Sequence, residues 1–445
     1  MTLNELLKLM EATGHLNAVQ EIILCQTWEG QTYNSMAEAY HFEADYLKKV
    51  AHKLWHLVSA LLGKSISKVS FRSIVESLEV TPQQQQLIAN YHHRFSVETH
   101  SPVNILEFPG YLLPLGSAFY IERPPLEMTV YREIELDGNI LWIKAPLKMG
   151  KSSLLVRIMA RAASQGYRTV YIDFKQITPA NLINIDQFLR WLCINITEQL
   201  KLELKLDHFW DNDVGSKVSC TRYLKQYLLP SLNSPLLMGW DGMNLLFQSP
   251  EIMQETLLVL CSWYEEAKRV EIMKKLRCVL VHSTEIEIPL YPSRLNSIGL
   301  PIQLPPLTIG QMQELALRYQ LDWAVEAEGI QKLQTLQQLL GGHPYLVQLA
   351  FYHLVQTEIT LEKLLQDAPT ICGIYREYLQ HYLMLLTAQP DLVTAFKQVI
   401  NLNKDIKLNP IIANQLENMG LITCIGNRVI PRCQLYQLYF ATHLP

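Results

Sequence analysis

The chain has 445 residues, of which 49% are apolar and 18% charged, with a net charge of −4. That composition fills well-buried cores and excludes a largely disordered chain, and the length suits about two to four domains of ordinary size. The small net charge excludes a protein-wide basic field for nucleic acid, so any such site is local.

The first 80 residues read as an all-α unit. Helical spacing of apolar residues predicts helices over 4–13 and 16–28, with Gly14 between them, then 35–40, 42–62 (stopped by Gly63) and 70–78. A short helix, a tight turn and a longer second helix form a helix-turn-helix pattern. Residues 81–117 read as a linker: a Gln run, His92, His93, Pro102, Pro109, Gly110, Pro114 and Gly116, with one short helix near 84–91.

From about 118 to 304 strands and helices alternate. Strands are expected at 140–144, 169–174, 235–240 and 277–283, and helices at 151–164, 186–200, 221–229 and 249–268. That rhythm predicts a parallel sheet with helices on both faces. After Pro305-Pro306 the strands stop. Residues 305–386 read as a helical lid, with helices at 310–319, 324–340, 343–356 and 361–366. Residues 387–445 give helices near 391–399 and 410–419, a hairpin of 421–425 and 428–430 about Gly426-Asn427, and a last helix at 433–442. Two helices followed by a hairpin predict a winged helix.

Eight cysteines, at 25, 193, 220, 261, 278, 372, 424 and 433, form no C-x-x-C pair and no zinc spacing. They read as buried, reduced thiols. Met1-Thr2-Leu3-Asn4-Glu5 has no basic start leading into an apolar run. No stretch approaches ~18 uninterrupted apolar residues, so a cytoplasmic protein without a membrane span is expected.

The chemistry concentrates after the first strand, at Ala145-Pro146-Leu147-Lys148-Met149-Gly150-Lys151-Ser152-Ser153. This is G-x-x-x-x-G-K-[ST] with alanine first, between a strand and a helix, which is the context such a phosphate-binding loop requires. Loop amides and the helix N-terminus point at phosphates. Gly150 permits close approach, Lys151 reaches the terminal phosphates, and Ser152 offers a hydroxyl to Mg²⁺. ATP with Mg²⁺ is the expected ligand pair. A second Mg²⁺ carboxylate belongs at a neighbouring strand end, and Leu236-Leu237-Met238-Gly239-Trp240-Asp241 supplies Asp241. The next residue is Gly242, which has no side chain to polarise water. Glu285, after the 277–283 strand, is either a substitute base or a surface carboxylate. Ser283 and Thr284 stand where a polar residue contacts the γ-phosphate.

Several motifs in order resemble the bacterial AAA-like domain of STAND-type signalling NTPases. They are Tyr120-Ile121-Glu122-Arg123-Pro124-Pro125-Leu126-Glu127, the loop itself, Tyr171-Ile172-Asp173-Phe174, Val281-His282-Ser283-Thr284-Glu285, Gly341-Gly342-His343-Pro344-Tyr345-Leu346 and Pro431-Arg432-Cys433-Gln434-Leu435-Tyr436. The resemblance runs from about residue 110 to the C-terminus. It implies that alanine is the ordinary first loop residue and that Asp-Gly replaces an Asp-Glu pair. It implies that Arg123 and its neighbours wrap the base or ribose. It also implies that the Gly342-His343-Pro344 turn closes over the nucleotide, a plain N-cap being the other reading. Gln31-Thr32-Tyr33 and residues 66–72 are similar to helix-turn-helix modules that precede such NTPases.

On the 42–62 helix, Leu47, Val50, Ala51, Leu54, Val58 and Leu61 line one face. Lys49, His52, Lys53 and His56 line the other, with Lys48 at its edge. A basic face on the second helix suits phosphate contacts with DNA, and suits a protein partner equally. The helix lacks arginine, so base-specific readout has little support. Trp55 reads as core or as a partner contact. Arg294 is either a trans-acting finger in a homo-oligomer or a surface arginine.

The expected protein is thus an α/β P-loop NTPase core with a helical lid, a C-terminal winged helix and an all-α helix-turn-helix domain. Its expected function is an ATP-binding switch with weak or absent hydrolysis. The rivals are an active ATPase with a substitute base and a nucleotide-independent DNA-binding or scaffold protein.

Overall fold

The structure is a computed structural model that describes residues 2, 3, 6, 9–10, 18–40, 44–78, 81, 106–285, 299–357, 359–401, 407–426 and 428–445. The side chains of 18, 19, 21, 22, 38–40, 44–46, 49 and 53 lie outside the description. The chain forms two compact units, residues 1–106 and 107–445.

The first unit is helical: α1 Ala18–Trp28, α2 Tyr33–Tyr40, α3 Ala44–Leu62 and α4 Phe71–Glu76. The expected helix over 4–13 and the short one near 84–91 fall largely or wholly outside the described residues. Leu47, Ala51, Leu54 and Val58 recur at helical spacing on α3 and are all buried, so this face drives the fold. Trp55 belongs to the core: its Nε1 donates to the Tyr33 hydroxyl at 2.9 Å, and its ring lies 5.1 Å from that of Phe71.

The second unit is built on a five-stranded parallel sheet, order β2-β3-β4-β1-β5. Its strands are β1 Ile140–Ala145, β2 Arg168–Asp173, β3 Leu236–Asp241, β4 Leu276–Ser283 and β5 Leu300–Gln303. Helices in chain order are α5 Leu126–Glu133, α6 Lys151–Ser164, α7 Ile185–Gln199, α8 Leu206–Phe209, α9 Ser216–Tyr223 and α10 Pro250–Glu266. The central strands read as continuous apolar runs because both faces are covered. Alternate residues separate into two cores. Ile140, Trp142, Met238, Trp240, Cys278 and Leu280 face one side. Leu141, Ile143, Leu237, Val279 and Val281 face α6 on the other. Gly239 makes that second packing close, since a Cβ there would lie 2.8 Å from the Met159 sulfur.

The remaining helices are α11 Ile309–Arg318, α12 Ala327–Leu340, α13 Pro344–Gln356, α14 Leu361–Asp367, α15 Arg376–Thr387, α16 Pro390–Asn401 and α17 Pro410–Asn418. The antiparallel pair β6 Ile422–Ile425 and β7 Arg428–Pro431, then α18 Gln434–His443, complete a winged helix.

Several expectations are corrected. A strand absent from the expected set, β5, adds a short edge beside β1. The expected helix 324–340 is broken: Asp322–Val325 is a 3-10 turn, and Glu326 is extended before α12 begins. A Cβ on Gly329 would lie 1.8 Å from the Trp323 carbonyl, so the turn and helix interlock only through a glycine. The expected helix 221–229 starts earlier, at Ser216, and passes into a π-helical turn at Leu224–Leu228. Helices α5, α8 and α15 have no counterpart among the expected elements. Of the cysteines, Cys193, Cys220, Cys278 and Cys433 are buried, but Cys372 is exposed. Among the described residues no helix is long and apolar enough to cross a membrane.

Candidate functional site

The loop from β1 to α6 bends where only a glycine sits easily. Gly150 is the N-cap of α6 with φ 94°, and a Cβ there would meet the Arg123 Nη2 at 3.3 Å. Arg123, 3% exposed, donates from Nη1 to the Met149 carbonyl at 2.9 Å. Its backbone N–H donates to Glu127 at 2.9 Å, while its buried Nε has no partner among the described residues. The guanidinium therefore braces the turn of the phosphate loop itself.

Lys151 is 8% exposed and donates to the carbonyls of Ala145 at 2.8 Å and Pro146 at 2.7 Å. Burial lowers its pKa to about 8, opposed by the carboxylates of Glu285 and Asp241. A buried ammonium held by neutral carbonyls is an environment that an incoming phosphate improves. The residues present fit a nucleotide on this count, and the left-handed Gly150 leaves the backbone cradle unfilled.

The loop opens on a cavity of about 580 Å³. One wall is Gly150, Lys151, Ser152 and Ser153; another is Asp173, Asp241, Asn244, His282 and Ser283 at the strand ends. Lid residues Pro344, Tyr345 and Gln348 and the segment 110–113 also line it. That segment is pinned to α6. The Leu113 N–H donates to the Ser153 hydroxyl at 3.0 Å, and Arg157 donates to the carbonyls of Leu113 at 3.1 Å and Pro114 at 3.0 Å. Ser153 thus holds the strap as well as lining the cavity.

Asp241 is 5% exposed and accepts the Tyr171 hydroxyl at 2.7 Å. Gly242 follows with φ 80°, in the left-handed region, and the nearest atom to a Cβ there lies 3.9 Å away. A glutamate would fit the space but not the backbone. Beside it stands His282, 8% exposed, whose Nδ1 has no partner among the described residues. Burial, with Lys151 and Lys144 nearby, pulls its pKa down to about 3, so the ring is neutral.

Behind the loop, the lid and the winged helix hold residues 146–147. The His343 ring, at the N-cap of α13, places Nε2 3.1 Å from the Leu147 carbonyl and 3.1 Å from the Tyr378 hydroxyl. Burial pulls the His343 pKa down to about 3. A neutral ring with its proton on Nε2 satisfies that carbonyl, a tautomer inferred from the network. The Tyr378 and Tyr436 hydroxyls are 3.0 Å apart, which extends the chain of bonds to α18. The Leu147 N–H donates to Glu285, which also accepts the Tyr382 hydroxyl of α15 at 3.2 Å. Thr284 donates its hydroxyl to the Asn418 carbonyl of α17. Gly420 lies so close to Pro146 that a Cβ would be 2.6 Å from its Cγ.

The structure therefore gathers Ala145, Pro146, Met149, Gly150, Lys151, Ser152, Ser153, Arg123, Asp241, Ser283 and Pro344 around the loop and cavity. Of the turn expected to close over the nucleotide, Pro344 lines the cavity, while the His343 ring bonds the Leu147 carbonyl and the Tyr378 hydroxyl. Glu285 is no loose surface carboxylate, since loop and lid both hold it. Sequence reasoning did not single out Lys148, Asn244, His282 as a cavity residue, or the strap 110–113. In the N-terminal unit Lys48, His52 and His56 are exposed on α3. The side chains of Lys49 and Lys53, and the whole of Arg294, lie outside the described residues. Among the described residues no group of three or more His, Cys, Asp or Glu is placed to hold a metal.

Two family models match the chain. Residues 108–442 match the family model described as AAA-like domain. Residues 2–78 match the one described as vWA-MoxR associated protein N-terminal HTH. No curated protein matches the chain. Among solved structures, the chain is similar to the Walker-type ATPase PABY2304 of Pyrococcus abyssi, at 14% identity over 72% of this chain and 96% of that one, TM-score 0.49. It is similar to the ORC2 protein of Aeropyrum pernix, at 16% identity over 72% and 96%, TM-score 0.43. It is also similar to the RuvB Holliday junction branch migration motor of Thermotoga maritima, at 13% identity over 70% and 92%, TM-score 0.33. The fold is that of a P-loop NTPase with an N-terminal helix-turn-helix, and nucleotide binding is what such a loop implies.

Proposed function

The chain belongs to the AAA-like domain family, and from that premise we propose that it is a nucleotide-controlled switch of the STAND type. ATP with Mg²⁺ binds between the C-terminal edge of the sheet and the lid, and is hydrolysed slowly or not at all. The loop amides and the N-terminus of α6 hold the phosphates, with Lys151 on the terminal ones. Ser152 and Asp241 hold the metal, which supplies charge neutralisation when bound. Tyr171 fixes one oxygen of Asp241. The absence of a side chain at Gly242 supports a long-lived bound state.

One observation carries the switch reading. The peptide that follows Pro146 touches the phosphate site on one side and three C-terminal elements on the other. Lys151 bonds the Pro146 carbonyl, while His343, Glu285 with Tyr382, and Gly420 hold the same two residues from behind. A shift of the loop on nucleotide binding has to be accommodated by lid or winged helix, because close-packed contacts are bistable rather than compliant. The nucleotide favours one arrangement by its differential affinity for the two. The helix-turn-helix unit then engages DNA or a protein partner, with Lys48, Lys49, His52, Lys53 and His56 of α3 as its contact face.

Amide hydrogen exchange tests this. Addition of ATP and Mg²⁺ is expected to change exchange in α15 and at 417–421 in the native protein, and to change nothing in Lys151→Ala. Binding of ATP without any C-terminal change would remove the switch.

A further inference from the structure

Lys148 stands out within the phosphate loop for its backbone. It is one of three non-glycine residues with positive φ among those described, at 60°. That conformation costs a side-chain-bearing residue stability that glycine would not lose. A lysine held there points to a use for its side chain.

The residue is exposed at one side, and its side chain reaches along the cavity wall. Its ammonium lies 3.8 Å from the centre of the Tyr345 ring on the lid, and 3.2 Å from where a Cβ on Gly110 of the strap would sit. Partial burial lowers its pKa, with Glu377 opposing. Among the described residues no carboxylate oxygen comes within ion-pair distance of it. The cation thus rests on an aromatic face at the cavity wall, within the same loop as Lys151, with Glu377 acting on it only through space and no ion pair among the described residues. A cation–π contact is weaker than a charge-assisted bond to phosphate, so a triphosphate is the better partner.

Resting on the nucleotide-binding reading above, we propose that Lys148 is a second phosphate cation that leaves Tyr345 for the terminal phosphate and sets a preference for nucleoside triphosphate over diphosphate. The chain then supplies in cis a positive charge of the kind a trans-acting arginine supplies elsewhere. Tyr345 would become free as the ammonium departs, so the lid senses the terminal phosphate through the same residue.

Calorimetric titration of the full chain with ATP and with ADP, both with Mg²⁺, tests this in the native protein, Lys148→Gly and Lys148→Met. Thermal unfolding of the free proteins reports the backbone effect separately. Lys148→Gly is expected to unfold at a higher temperature than the native chain, since the left-handed residue is relieved. The same variant is expected to bind ATP about tenfold more weakly or worse, the scale of one lost charged contact, with ADP changed less than about threefold. Lys148→Met is expected to repeat the ATP loss without the gain in stability. Equal loss of ATP and ADP, or full ATP affinity in both variants, would overturn the proposal and leave the nucleotide-binding reading standing. Failure of the native chain to bind either nucleotide would overturn both.

Discussion

The two strand ends that frame the cavity are built to different standards. At the end of β1 every part of a phosphate site is in place. Gly150 sits in its left-handed turn, Lys151 is buried against two carbonyls, and Arg123 braces the loop. At the end of β3 the buried Asp241 is held by Tyr171, but the chain then turns left-handed at Gly242, where no side chain follows. The difference teaches that binding and turnover are separable demands on one fold. Binding needs the β1 end and a metal carboxylate, whereas turnover also needs a base in line with the attacking water.

The largest effect is expected at the intact end. Lys151→Ala removes the buried charge and should weaken ATP binding by about a hundredfold or more, the scale of losing one partner of a buried charge pair. Calorimetry with unchanged far-UV circular dichroism checks it, and retained affinity would break the comparison. At the deficient end, Gly242→Glu should raise ATP turnover, by up to about a hundredfold if the carboxylate reaches the water. The same change should lower stability by about 1–2 kcal/mol, because glutamate is forced into a left-handed backbone. An unchanged turnover in a folded variant would show that more than the base is missing.

Acidity sharpens the contrast. In the free protein burial lowers the Lys151 pKa to about 8. A bound phosphate favours the charged lysine, so the complex holds more protons than the free protein above that pH. Affinity is therefore greatest below pH 8 and falls as pH rises, by up to about tenfold per pH unit. Lys151→Ala should flatten that slope. The smallest effect belongs to Tyr171→Phe, which removes one hydrogen bond from Asp241. It should cost about 1 kcal/mol of Mg²⁺-dependent affinity, measured as a lower response of ATP binding to added Mg²⁺.

Much of this was legible in the sequence for a local reason. The phosphate loop is contiguous, and a strand before it and a helix after it are each marked by apolar spacing. The parallel sheet was legible because its strands are apolar throughout. What failed to show depends on contacts distant in sequence. β5 is four residues with Pro301 inside it, buries Ile302 alone and exists by pairing with β1. Helix α15 carries Tyr378 and Tyr382, whose burial follows from the loop they support. The motif containing His343 was visible, but nothing local says that its ring faces Leu147. The strap 110–113 reads as linker because its prolines and glycines are local, while its bonds to Ser153 and Arg157 span 40 and 44 residues of chain.

Whether the nucleotide is held without brisk turnover is decided by incubating the purified chain with ATP and Mg²⁺, removing free nucleotide and identifying what remains bound. The expected result is ATP at close to one per chain, absent from Lys151→Ala. Recovery of no nucleotide, or ADP released in excess over protein and abolished in Lys151→Ala, would contradict it.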